Sequence, residues 1–152
     1  ESERVKTTRL WCYKVNVTDL EEVQPGLYTI KATFTCHPTK YFKATDTQRL
    51  TRSGTLTVQG SALAFPKITI SGQSAAETSF TIAGQVIRLE RLTESLVMVN
   101  NPDNPSFKTT TGKPVKWSGD FITVDPAKVK NVGVVLGQGI QSLEIETVWG
   151  WA

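Results

Sequence analysis

The sequence is poor in the side chains that carry most chemistry. Its 152 residues include one histidine, two cysteines and one methionine. His37 stands before Pro38 with Cys36 beside it, and the other thiol, Cys12, lies far upstream, so no zinc-type ligand spacing exists. We read His37 as a surface turn residue. No Gly-x-Ser-x-Gly presents a nucleophile for a Ser-His-Asp triad. No apolar run approaches the roughly 18 residues of a membrane-spanning helix, so no membrane insertion is expected. Charge of one sign is also scarce. The net charge is +3 and the basic residues are scattered, which offers neither a groove for nucleic acid nor a basic patch for a membrane surface. The chain opens at Glu1 without an initiator methionine or a signal-like segment, which reads as a processed terminus or the start of a fragment.

The remaining polar groups point the same way. Asp120 and Asp125 flank an expected strand, while Glu144 and Glu146 share the polar face of another. Those are ordinary solvated positions rather than a catalytic carboxylate pair. The glycines of Gly133-Val-Val-Leu-Gly137-Gln-Gly139 precede a strand pattern. A phosphate loop needs a helix N-terminus behind it, so these read as turn glycines. The expectation is a protein that is not an enzyme and needs no cofactor.

What the chain has in abundance is β-branched residues: 21 Thr, 15 Val and 8 Ile, which favour strands. In Tyr28–Cys36, apolar or small residues at 28, 30, 32, 34 and 36 alternate with Thr29, Lys31, Thr33 and Thr35, the period of a half-buried strand. Pro25-Gly26 and Pro38 punctuate its ends. Leu10–Val17 is a second strand, preceded by a patternless lead-in over residues 1–10. The acidic segment 18–26 reads as a turn-rich connection, and the polar residues 37–54 as a linker. Further strands are expected at Thr55–Val58, Phe65–Ser71, Ser79–Ala83, Gln85–Glu90, Leu96–Asn100, Asp120–Val124, Val132–Leu136 and Leu143–Trp151. Ala83-Gly84 reads as a tight turn, and residues 100–119 as a long polar loop. In the last strand Leu143, Ile145, Thr147, Trp149 and Trp151 share one face. Many short strands with no interior helix make an all-β protein, a β-sandwich preceded by a β-hairpin. The boundary falls near Arg52, giving an N-terminal hairpin and linker over 1–52 and a sandwich over 53–152.

Strand parity bears on the two cysteines. Trp11, Tyr13, Val15 and Val17 place one apolar face on odd numbers, whereas Tyr28–Cys36 places it on even numbers. With those faces together, directly opposite residues have numbers that sum to an odd total. Cys12 and Cys36 sum to an even total, so the reading is two free thiols on opposite faces unless a bulge intervenes.

The aromatic residues are the candidate binding groups. Trp117 lies in the long polar segment beside Lys113 and Lys116, and Trp151 is near the C-terminus. Such residues on a sandwich stack on sugar rings or anchor a protein interface. Trp149 continues an apolar face and reads as packing.

The order of several short motifs carries a family resemblance. Leu10-Trp11-Cys12-Tyr13-Lys14-Val15, then Leu20-Glu21-Glu22, then Tyr28-Thr29-Ile30, then Phe34-Thr35-Cys36-His37-Pro38 with Tyr41, resembles the distal tail proteins of long-tailed bacteriophages. Gly54-Thr-Leu-Thr-Val, Pro66-Lys-Ile-Thr-Ile-Ser-Gly72, Leu96-Val-Met-Val and Gly133-Val-Val-Leu-Gly137 with Ile140-Gln-Ser-Leu-Glu-Ile continue it in order. The resemblance implies a galectin-like C-terminal sandwich and, in residues 1–45, a remnant of the family's belt domain. It implies a structural component of the virion tail tip, assembled in the host cytoplasm. There a hexameric ring of identical copies joins the tail tube to the baseplate hub and to host-binding, receptor-recognising proteins. Galectin-like names a fold and implies no sugar binding. The alternative is a secreted carbohydrate-binding sandwich or adhesin-like subunit, with Trp117 or Trp151 stacking on sugar. A small hydrolase on a β scaffold is a third reading.

Overall fold

Pro25-Gly26 closes a long hairpin. Gly26 has φ of 81°, a value that suits glycine after a φ-restricted proline in a tight turn. The computed structural model describes residues 8–152. On either side of the turn run β1 (Thr8–Gln24) and β2 (Leu27–Phe42). The acidic segment expected as a connection is therefore mostly strand. Of the expected lead-in, residues 1–7 lie outside the described residues, and Thr8–Leu10 already belong to β1.

Two five-stranded sheets follow. Their strands are β3 (Asp46–Leu50), β4 (Gly54–Thr57), β5 (Lys67–Gly72), β6 (Thr78–Ile82), β7 (Gln85–Leu89), β8 (Leu96–Val99), β9 (Ser106–Thr109), β10 (Trp117–Ser118), β11 (Asn131–Leu136) and β12 (Ile140–Thr147). One sheet has the order β3-β12-β5-β8-β9 and the other β10-β7-β6-β11-β4, with antiparallel pairing throughout. Alternation in each strand supplies a shared core. Ile68, Ile70, Met98, Leu143 and Ile145 come from the first sheet, and Leu56, Phe80, Ile82, Ile87, Leu89 and Val134 from the second. The protein is thus all-β, a sandwich with a hairpin before it, and the described residues contain no helix. Ala83-Gly84 turns β6 into β7 with positive φ at both residues, as a two-residue hairpin loop with right-handed twist requires.

Several expectations are corrected. The stretch 37–54 is not a featureless linker: β2 runs on to Phe42, and Asp46–Leu50 pairs along β12 as β3. The loop 100–119 contains β9 and β10, with Phe107 buried in the core. The terminal strand breaks at Val148-Trp149, so Trp151 does not share the buried face of Leu143 and Ile145. It lies on β13 (Gly150–Trp151), which pairs with β2 to make a third sheet, β1-β2-β13.

Asp120–Val124, expected as a strand, has no neighbouring strand among the described residues. Its backbone is satisfied by side-chain amides instead. Ile122 N donates to Asn100 Oδ1 at 2.7 Å, Thr123 N donates to Gln85 Oε1 at 3.1 Å, and Gln85 Nε2 donates to Thr123 O at 2.7 Å. Only Val124 makes a backbone bridge, to Ala64. Buried Asn100 also donates to Pro66 O at 2.6 Å, so one amide ties three segments. Asn100→Ala strands a buried N–H and a buried carbonyl and is expected to cost roughly 2–4 kcal/mol. Urea unfolding with an unchanged m-value measures it. A loss below about 0.5 kcal/mol, the range of a neutral surface change, refutes this role.

Candidate functional site

The hairpin is the part of the fold that no core explains. In its middle, Val15 faces Phe34 and Val17 faces Ala32, the odd totals that parity requires. Between Thr18 and Leu20 the register shifts by one residue. Asp19 absorbs the shift with φ of 60°, a left-handed conformation that aspartate tolerates better than most residues. Leu20 then faces Ile30, and Glu22 faces Tyr28. The bulge keeps Leu20 on the side of Val15 and Val17, although its number is even. One face of the hairpin is therefore a continuous apolar strip of Val15, Val17, Leu20, Ile30, Ala32 and Phe34. The other carries Lys14, Asn16, Lys31, Thr33 and Thr35.

Tyr28–Cys36 was expected to be half-buried. Instead, Val17 is 66% exposed, Phe34 60% and Ile30 64%. The alternation is real, but the surface it should pack against is not supplied by the described residues of this chain. A contiguous exposed apolar strip of this kind marks an interaction surface.

The cysteines require the second correction. Register shifts on both sides of Cys12, against Leu10 and against Lys14, set it directly opposite Cys36. The two form a disulfide, and the described residues contain no free thiol. Parity holds for Lys14–Thr18 and fails at Cys12 because the bulges there re-phase β1.

A clasp joins the hairpin to the sandwich. Trp149 is buried in the core, and its Nε1 donates to Asp46 Oδ2 at 2.8 Å. Its carbonyl accepts from Phe42 N at 2.9 Å, at the base of β2. Gly150 O accepts from Ser61 N and Ala62 N at 2.9 and 3.0 Å. A Cβ on Gly60, whose φ is +76°, would collide with that same carbonyl. Phe42 and Trp151 pack as a tilted ring pair with centroids 4.2 Å apart.

The residues singled out from the sequence lie elsewhere. Trp117 is half-buried on β10, edge-on to Phe107 at 5.3 Å and to Phe121 at 5.2 Å. Lys113 pairs with Glu94 at 3.8 Å and Lys116 with Glu90 at 3.5 Å, all near the surface. Exposed pairs of this kind contribute little stability. Trp151 is 40% exposed on β13, in a different sheet from Trp117.

Sequence reasoning missed a cleft of about 630 Å³ between the foot of the hairpin and the sandwich. Arg9, Trp11 and His37 line it from the hairpin, with Tyr41 at the end of β2, and Phe65 and Asp103 from sandwich loops. Its lining includes the Lys67–Glu146 ion pair at 2.6 Å. The available signal was Trp11, an aromatic residue on a strand whose apolar face was assumed to be covered. No group of three or more metal-ligating side chains gathers among the described residues.

The sequence matches no protein family and no curated protein. Its fold is similar to the crystal structure of the SPP1 Dit protein, described as a paradigm of the hub adsorption apparatus in phages that infect Gram-positive bacteria. The TM-score is 0.59 at 15% identity, over 95% of this chain. The chain spans 59% of the length of that protein.

Proposed function

We propose that the protein is a non-enzymatic structural component of a bacteriophage tail tip, joining the tail tube to the baseplate hub and to host-binding proteins. The observation that carries this reading is the amphipathic hairpin, whose apolar face has no cover within the described chain. A fold shared along nearly its whole length with a phage hub protein supports it. On this reading the hairpin is an arm that lies against identical copies, and the sandwich is the galectin-like domain the arm carries. The joint lies at residues 43–45, between β2 and β3, rather than near Arg52. The ring is hexameric, and the protein resides at the virion tail tip after assembly in the host cytoplasm. A reducing cytosol keeps thiols free, so the Cys12–Cys36 bridge closes once assembly meets an oxidising medium.

Light scattering of the full chain over a concentration series tests the reading. Closed rings, or oligomers that grow with concentration, are expected. Val15→Asp with Phe34→Asp puts two like charges opposite each other on the apolar face. It is expected to weaken self-association by at least 100-fold, while the sandwich keeps its melting temperature within about 2 °C, because exposed sites away from the core contribute little to stability. A wild-type chain that stays monomeric at high concentration, or oligomers indifferent to both aspartates, contradicts the proposal.

A further inference from the structure

We propose that the cleft between the hairpin foot and the sandwich binds a neutral oligosaccharide. This inference does not rest on the tail-tip reading. Three aromatic rings border the cleft without being consumed by the core: Trp11 is 63% exposed, Phe65 is 38% exposed, and Tyr41 is half-buried. Aromatic faces of this kind stack on the C–H faces of sugar rings and leave the hydroxyls to polar neighbours.

Those neighbours are of the required types. A sugar hydroxyl is both donor and acceptor, so a site must present both partners. Arg9 and Asp103 line the cleft as a donor and an acceptor, and the paired Lys67 and Glu146 keep further N–H groups and lone pairs for a ligand. The loop bearing Asp103 is held in place, since Asp103 N donates to Asn101 Oδ1 at 3.0 Å. Among the described residues, the two cations and two carboxylates of the lining balance. That disfavours a phosphorylated or polyanionic ligand, which would meet both carboxylates, and the described residues offer no helix N-terminus to offset them. A lipid chain fits poorly against a lining that includes an ion pair, because burying that pair under hydrocarbon is costly. The cleft is within the usual range for small-ligand sites, roughly 300–1,000 Å³.

The structure also separates this cleft from the two tryptophans that the sequence put forward. Trp117 makes T-shaped contacts with both Phe107 and Phe121, and Trp151 lies against Phe42 in a tilted ring pair. Among the described residues, Trp11 makes no ring contact of that kind.

Titration of the full chain with chitotriose and with maltotriose tests the proposal, because one probe carries N-acetyl groups and the other does not. The readout is the indole N–H resonances of the four tryptophans. A saturating shift of the Trp11 resonance is expected with at least one probe, with those of Trp117 and Trp149 stationary. Trp11→Ala and Asp103→Ala, both exposed positions that leave the core intact, are each expected to weaken binding at least tenfold, and Trp117→Phe to leave it unchanged. No shift with either trisaccharide, together with a blank glycan array, overturns the proposal. So does binding that survives Trp11→Ala. A Trp11 resonance that moves with protein concentration but not with sugar assigns the cleft to a second copy of the chain, and also refutes it. Self-association, measured separately by scattering, can fail or hold without deciding this result.

Discussion

Trp149→Ala is expected to lower the unfolding free energy by about 4 kcal/mol, the range for removing a buried aromatic side chain from a core. Three effects act together. The indole is 1% exposed among side chains from both sheets. Loss of its Nε1 hydrogen bond leaves Asp46 Oδ2 with Gln48 Nε2, at 2.7 Å, as a remaining partner. Gln48 in turn bridges to the backbone of Thr57 at 2.8 and 2.9 Å, so the loss reaches β4 in the opposite sheet. At roughly 2–4 °C per kcal/mol for a chain of this size, the melting temperature should fall by about 8–16 °C. Trp149→Phe keeps most of the burial and removes only the hydrogen bond, so about 1–2 kcal/mol is expected. Thermal and urea unfolding of both variants measure the difference. If the two substitutions cost the same, hydrogen bonding dominates at this position and the packing account is wrong. Because the Trp149 carbonyl also holds Phe42 N, Trp149→Ala should in addition raise amide exchange at the base of β2.

The second large effect is expected in the arm rather than in the sandwich. Cys12→Ser with Cys36→Ser removes a link between positions 24 residues apart. Closing a loop of that length constrains the unfolded chain by about 3 kcal/mol. Beyond its foot, where β13 pairs with β2, the arm has little else to hold it, since its apolar face is bare and it rests on pairing within one hairpin, a marginal arrangement in water. The loss should therefore appear as local opening. Amide protection between Cys12 and Cys36 is expected to fall about 100-fold, as a change of that size implies, while the sandwich melts as before. Self-association should weaken as well, because an arm that must be ordered on docking loses part of its binding free energy to that ordering. Hydrogen exchange on the monomeric variant, before and after the double substitution, decides the matter. Unchanged protection in the arm, or an equal loss throughout the sandwich, would show that the bridge does not act on the arm alone.

Period-two alternation made the strands of the sandwich legible, because each needs an apolar residue at every second position to build its half of the core. Ile68-Thr-Ile70, Phe80-Thr-Ile82 and Leu143-Glu-Ile145 each carry that signal locally. Ala83-Gly84 and Pro25-Gly26 were legible as turns because their backbone requirements belong to the residues themselves. The motif order that resembles phage distal tail proteins was legible too; the sequence matches no family model, and it is the fold alone that is similar to a phage hub protein.

The elements that escaped are those decided by partners distant in sequence. Asp120–Val124 looks like a strand, yet side-chain amides from Asn100 and Gln85 take the place of a neighbouring strand. Asp46–Leu50 looks like a linker, because an edge strand beside β12 needs only a weak pattern of its own. The candidate site divides in the same way. Trp117 and Trp11 are both tryptophans beside polar residues, and only the packed structure puts one between two phenylalanines and leaves the other over a cleft.

The sequence by itself determined the β class, the sandwich strands, the two turns and the amphipathic character of the hairpin, since all of these follow from side chains one or two positions apart. Only the tertiary structure decided the register. Backbone pairing leaves no mark on the order of residues, and a single bulge reverses which face every later side chain occupies. The bulges beside Cys12 turned two expected thiols into a bridge, and the one at Asp19 kept Leu20 on the apolar strip. Which face is left bare was also a tertiary decision, because alternation reports that a strand has two unlike faces and not what, if anything, covers them.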